Sequence, residues 1–317
     1  MHSFLDPAIL FFVFGVLAGT ARSNLEIPAA ISKFLSLYLL MALGLKGGFA
    51  LEKSGLTAEV VKSLGAAVLL AIVVPLISYK ILCRRIAGFD AAAIAATYGS
   101  VSAVTFITAT QSLEQQGIAF GGHMAAAMAL MESPAIIIAV LLANHLRREQ
   151  GQGQGGGLGK VLHESFTDGA QLLLLGAMAI GVITGDRGQA AMQPFSGDLF
   201  KGMLSFFLLD MGLMTARNLP QLRGQSPWML AYAVLAPLGH AALAWGLSRA
   251  LGLPLGETVL LMVLAASASY IAVPAVLRFA IPEARPSLYF AMSLGITFPL
   301  NILLGIPLYT RVATILG

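Results

Sequence analysis

Charge is scarce in this chain. Of its 317 residues only 11% are Asp, Glu, Lys or Arg, where a soluble domain carries about a quarter, so a water-soluble globule is excluded. Cysteine is rarer still. The single one, Cys83, rules out an internal disulfide and a multi-cysteine metal site, and is expected to be a small buried apolar residue. The five histidines include no His-x-x-x-His pair, His123 and His240 read as span-end or solitary residues, and no transition metal is expected. No G-x-S-x-G, Walker or dinucleotide fingerprint stands in a credible context, and no serine has a histidine at matching depth, so an enzyme is disfavoured. The net charge of +4 is small and its basic residues fall between apolar runs, where they report topology and not a nucleic-acid partner.

What is abundant is apolar sequence: 57% of residues are hydrophobic and the mean hydropathy is +0.83. The runs are about 20 residues long, which suits helices crossing a ~30 Å hydrocarbon core and not the short alternating strands of a barrel. An all-α polytopic protein of the lipid bilayer is expected, with ten spans at roughly 6–21, 29–50, 57–83, 89–113, 121–146, 165–184, 198–216, 227–250, 256–280 and 286–315. "AGTARS" follows the first run, but no basic segment precedes it and Asp6 stands just before it. A retained first span is expected, not a cleaved signal.

A glycine-rich stretch, "RREQGQGQGGGLGK", reads as a flexible linker over 148–164 and separates five spans in 1–147 from five in 165–317. The halves resemble each other. "ISKFLSLYLLMALGL" (Ile31 to Leu45) aligns with "LFKGMLSFFLLDMGL" (Leu199 to Leu213), Ser100 and Ser102 fall on Ser267 and Ser269, and Pro134 falls near Pro299, at an offset of about 165 to 168. Five spans per repeat force opposite orientations, so a 5+5 inverted repeat is expected, the common plan of secondary transporters. Arg22, Lys80, Arg84, Arg85, Arg147, Arg148, Lys160, Arg217, Arg223 and Arg285 fall on one side, against Lys46, Lys53, Arg187, Arg249 and Arg311 on the other. The richer side is expected to be cytoplasmic, with both termini outside and the linker inside.

Two spans are polar in the middle. "YGSVSAVTFITAT" (Tyr98 to Thr110) and "ASASYIAVP" (Ala266 to Pro274) put small and hydroxyl-bearing residues where Leu and Ile belong. A broken helix is tolerated in lipid only where it is buried or lines a cavity, and a pair at matching repeat positions points to a binding site. Gly99 is expected to let the backbone approach a ligand, with Ser100, Ser102, Ser267 and Ser269 as donors. Half-helix N-termini add free N–H groups and positive dipole ends, which together suit a small anion. Packing of helix on helix by small residues is the competing reading.

Glu132 is an ionisable group inside a span, which calls for a partner or a purpose. It precedes Pro134, expected to free a carbonyl near Leu130. Together Ser102, Thr105, Glu132, Thr297 and Asn301 form a hard-oxygen set suited to Na⁺, with proton coupling through Glu132 as the alternative. Asp210 reads as structural or interfacial, near a span end.

Several segments resemble the SbtA-type sodium-dependent bicarbonate transporters. They are "GLKGG" (44–48), "GSVS" followed by "LEQQGI" (113–118), "MESPA" (131–135), "AASASYIAVPA" (265–275) and "SLGITFPLNILLGIPLY" (293–309). The resemblance covers nearly the whole chain. It implies ten spans with broken helices 4 and 9, core and gate domains, Na⁺-coupled bicarbonate import across the inner (plasma) membrane, a homotrimer, and a small PII-like cytosolic regulator. It would place the substrate among Gly99, Ser100, Ser102, Ser267, Ala268, Ser269 and Tyr270. The chain departs from the family pattern at Ala103 and Val104, where small and hydroxyl residues are usual, at Glu132, commonly Asp, and in its short linker. A carrier of the same architecture for a short monocarboxylate or sulfate is the other reading.

Overall fold

The computed structural model describes residues 6–55, 57–150 and 169–316; the expected linker, from residue 151 onward, and the start of the sixth expected span lie outside the described residues. The elements are α1 (Pro7–Thr20), α2 (Ala29–Ser54), α3 (Ala58–Leu82), α4 (Gly88–Gly99), α5 (Ala103–Gln115), α6 (Met124–Glu149), α7 (Gly169–Met192) and α8 (Phe200–Asn218). There follow α9 (Pro227–Leu251), α10 (Leu255–Ala266), α11 (Ala272–Ala280) and α12 (Pro286–Leu316), the last loosened by π-helical turns at Ser293–Thr297 and Asn301–Gly305. There is no strand among the described residues. Among the described residues seven helical stretches are long and apolar enough to cross a membrane, and α1 and α10 are shorter apolar helices.

Local chemistry sets the helix ends. Asp6 Oδ1 accepts the Ala8 N–H at 2.8 Å, with Pro7 at the first helical position. Ser226 and Pro227 start α9 the same way, and Gly252 ends it in the left-handed conformation, φ +66°. Cys83 directly follows α3 and is exposed, not buried as its composition suggested: it continues the outward row of Leu76 and Lys80 at helical spacing.

The helices sort into two groups. In one, α1 lies along α8 and α2 along α7; in the other, α3 packs on α4 and α6, and α10 on α9, α5 and α12. Glycine sets the close crossings of the first group. A β-carbon on Gly212 would collide with the Phe12 carbonyl oxygen and lie 2.9 Å from the Val16 nitrogen; one on Gly44 would collide with the Leu174 carbonyl oxygen and lie 3.2 Å from the Met178 nitrogen. Only glycine permits backbones this near. Phe12 and Val16 stand in α1 as Leu174 and Met178 stand in α7, both 162 residues apart, and Gly44 and Gly212 are the aligned pair, 168 apart, so the two crossings match residue for residue with the glycines and their partners exchanged between halves.

The second group encloses the polar breaks. The most apolar window of the segment 88–115 is 94% buried, while that of α9 is 33% buried. Thus α4 and α5 are shielded by other helices, as interrupted backbone in lipid requires, and α9 presents its apolar face outward.

Candidate functional site

Both polar stretches are breaks. α4 stops at Gly99 and Ser100 is extended (φ −95°, ψ −174°); α10 stops at Ala266 and Ser267 is extended (φ −78°, ψ 165°). The chain re-enters helix at Ala103 and Ala272. The two extended segments are tied to each other. The Ser102 N–H donates to Ser267 Oγ at 3.0 Å, and the Ser269 N–H donates to the Thr97 carbonyl at 2.8 Å. Backbone groups freed by one break are therefore satisfied by the other.

The hydroxyls differ in what they have left to give. Ser267 donates to the Leu264 carbonyl at 2.9 Å while accepting from Ser102, so it is spent on the fold. Ser102 Oγ accepts the Thr105 N–H at 3.2 Å and the Thr105 hydroxyl at 3.0 Å, and Ser269 Oγ accepts the Val273 N–H at 3.3 Å. Acting as acceptors at the starts of α5 and α11, Ser102 and Ser269 keep their own protons for a ligand. Ser100 Oγ is buried without a hydrogen-bond partner, and the Tyr270 hydroxyl makes no bond of good geometry but lies close to Ser102; under-satisfied buried polar atoms of this kind call for an explanation.

A cavity of about 70 Å³ lies at these tips, bounded by Ser102, Ser269, Tyr270 and Glu132 from the second group of helices, and by Ser36 of α2 and Gln171 of α7 from the first. Its neighbours Val101 to Val104 and Ile271 to Ala272 are the first residues of α5 and α11 and those just before them. Both helix N-termini therefore face one small space whose wall is largely apolar apart from these few polar groups, with no lysine or arginine among its described lining residues, an electrostatic setting for a small anion. Gly99, Ser100, Ser267 and Ala268 pack behind the cavity and do not line it.

Two expectations come out differently. Gly99 lets α4 approach α3: a β-carbon there would collide with the ring of Pro75. Asp210 is not at a helix end but 5% exposed within α8, with Oδ2 unpartnered. Pro134, inside α6, has no N–H for the Leu130 carbonyl, and Gln171 Nε2 bonds the preceding carbonyl, of Ala129, at 2.6 Å.

The five oxygen donors are also sorted by the fold. Ser102 and Glu132 line the cavity; Thr105 lies directly behind, on Ser102. Thr297 donates to the Ala233 carbonyl at 2.8 Å and so accepts from the Tyr98 hydroxyl at 2.7 Å. Asn301 uses Nδ2 on the Ala266 carbonyl at 2.8 Å and Oδ1 on the Tyr309 hydroxyl at 2.9 Å. Sequence reasoning, fixed on the breaks, missed Ser36 and Gln171. Each is a polar residue within an apolar run, "KFLSLYLL" and "GAQLLLL", which is the signal that could have found them.

The fold and this site define a polytopic helical membrane protein built around paired discontinuous helices, a transporter and not an enzyme. Residues 7–314 match the family model of the Na⁺-dependent bicarbonate transporter superfamily, and the chain belongs to that superfamily. No curated protein matches the sequence significantly.

Proposed function

We propose that this protein imports bicarbonate by Na⁺ symport across the inner (plasma) membrane. The observation that carries the reading is the convergence of Ser102 and Ser269, each with a hydroxyl proton to donate, on one cavity that also holds Glu132. Bicarbonate is small, planar and singly charged; two hydroxyls and two helix N-termini meet its oxygens, and its O–H finds an acceptor among the carbonyl and carboxylate oxygens. A cation held near Glu132, by Ser102 and Thr105 among others, offsets the anion's charge. Each ligand then raises the other's affinity by the same factor. Without the cation, stripping water from the anion is unfavourable.

In this reading ten spans form a 5+5 inverted repeat, supported by the equivalent glycine crossings at Gly44 and Gly212. The group α1, α2, α7 and α8 acts as the gate and the remainder as the core, with the substrate held where they meet. Both termini face outside and the 148–164 linker the cytoplasm. A homotrimer and a PII-like regulator on the cytosolic face complete the proposal, from the resemblance alone.

Reconstitution in liposomes with labelled bicarbonate and an imposed Na⁺ gradient tests it. Uptake should follow an inward Na⁺ gradient and stop when K⁺ replaces Na⁺. Uptake indifferent to that exchange but collapsed by a protonophore would make the proton the coupling ion. Accumulation of a short monocarboxylate or sulfate instead of bicarbonate would change the substrate.

A further inference from the structure

A second cavity, about 610 Å³, opens where α2 ends, walled by Lys46, Lys53, Glu114, Phe120, Gly121 and Gly122 among others. Beneath its wall lies a titratable cluster that transport as described above does not use. Glu257, in the first turn of α10, is 2% exposed; its Oε1 accepts the Gly121 N–H at 2.6 Å while its Oε2 is buried and unpartnered. His123, which precedes α6, is 3% exposed and its Nε2 is also buried and unpartnered. The two meet at Gly121, where a β-carbon would collide with the His123 ring and lie 3.2 Å from Glu257 Oε1. Glu59, at the start of α3, acts electrostatically on both.

No cation answers these carboxylates among the described residues. Lys62, on the same face of α3 as Glu59, donates instead to the Leu251 carbonyl at 3.1 Å, and Lys46 pairs with Glu114 at 3.5 Å. Two carboxylates and an imidazole set against one another, with Glu257 Oε2 and His123 Nε2 unpartnered, are relieved by one bound proton. Such a site fills as pH falls and empties as it rises.

We propose that Glu59, His123 and Glu257 form a proton-binding site behind the wall of this vestibule, separate from the cavity between the breaks. Its occupancy sets how firmly the Gly121–Gly122 turn is held on α10. That turn also touches α2, since a β-carbon on Gly122 would collide with the Gly47 carbonyl oxygen. Proton binding at the cluster is thereby linked to the contact between the two groups of helices.

The test needs no transport. Thermal unfolding of the full chain in detergent, without bicarbonate and at fixed Na⁺, is followed between about pH 4.5 and 8. Glu257→Gln should change the dependence of the midpoint on pH by about 3 °C or more across that range, relative to wild type. Glu59→Gln, at the less buried rim, should change it in the same limb, and His123→Gln should move the inflection. Profiles for Glu257→Gln and Glu59→Gln that run parallel to wild type overturn the proposal. Should Glu257→Gln fail to fold, Glu59→Gln alone decides. Because the readout is unfolding, a parallel profile would leave the bicarbonate reading standing, and failed bicarbonate uptake would leave this site standing.

Discussion

Asn301 Nδ2 donates to the carbonyl of Ala266 at 2.8 Å, giving the last residue of α10 a fixed partner where its helix stops. The same amide takes the Tyr309 hydroxyl on its oxygen at 2.9 Å. Asn301→Ala would orphan both partners in a buried setting, a loss of roughly 2–6 kcal/mol at about 1–3 kcal/mol for each group. The expected outcome is a clearly lower unfolding temperature. A variant of unchanged stability with weakened Na⁺ dependence would return Asn301 to the role of cation ligand.

Ser269 and Ser267 should separate function from support. Ser269→Ala removes a donor from the cavity and a cap from α11; uptake is expected to fall at least ~10-fold, equivalent to about 1.4 kcal/mol, with the protein still folded. Ser267→Ala orphans the Ser102 N–H and should cost stability by about 1–3 kcal/mol. Paired uptake and melting curves check both. Loss of folding in both variants would favour a packing role for the whole region.

Glu132→Gln keeps the shape of the cavity wall and removes its one carboxylate. Uptake is expected to lose its dependence on Na⁺ while expression is retained. Na⁺ titrations of uptake by wild type and variant are the measurement, and superimposable curves would remove Glu132 from the coupling site.

Gly44→Val and Gly212→Val should be comparably severe. At both positions the new side chain meets a carbonyl oxygen of the crossing helix, so the helices must separate along their length. A loss of more than ~3 kcal/mol, or failure to fold, is expected for each, read by size-exclusion profile and melting. A large difference between the two would argue against equivalent repeats.

Outside the spans, Arg147 grips Glu283 with two hydrogen bonds, Nε to Oε1 at 2.8 Å and a terminal nitrogen to Oε2 at 2.7 Å, and holds the carboxyl below its ordinary range. A lowered carboxylate adds stability that is full above its unfolded value, about 4.3, and is lost as pH falls through the folded one. Acid unfolding of Glu283→Gln should therefore lack part of the wild-type loss below about pH 4. An unchanged acid limb would show that the pair adds nothing.

The breaks were legible because they violate a local rule: Gly99, Ser100 and Ser267 are polar or flexible where lipid demands apolar helix. Two helices are bounded by purely local chemistry, α1 at Asp6 and Pro7 and α9 at Ser226 and Gly252. Which of the polar residues faces a ligand was not legible. Ser267 and Ser269 are the same residue type two positions apart, yet one is saturated by Leu264 and Ser102 and the other lines a cavity. Ser36 and Gln171 join the site from helices far off in sequence, and Asn301 holds the Ala266 carbonyl and the Tyr309 hydroxyl, partners that no local pattern names.

By itself, then, the sequence determined that this chain lives in a membrane as apolar helices, that two of them are interrupted, and which superfamily it resembles. Those follow from composition and short-range pattern, since the cost of bare backbone in hydrocarbon applies wherever the helix lies. The tertiary structure decided which hydroxyl protons remain free, which glycines serve crossings, and which carboxylates are left without a partner. Hydrogen-bond saturation and close packing depend on neighbours brought in from elsewhere in the chain, and no local stretch encodes them.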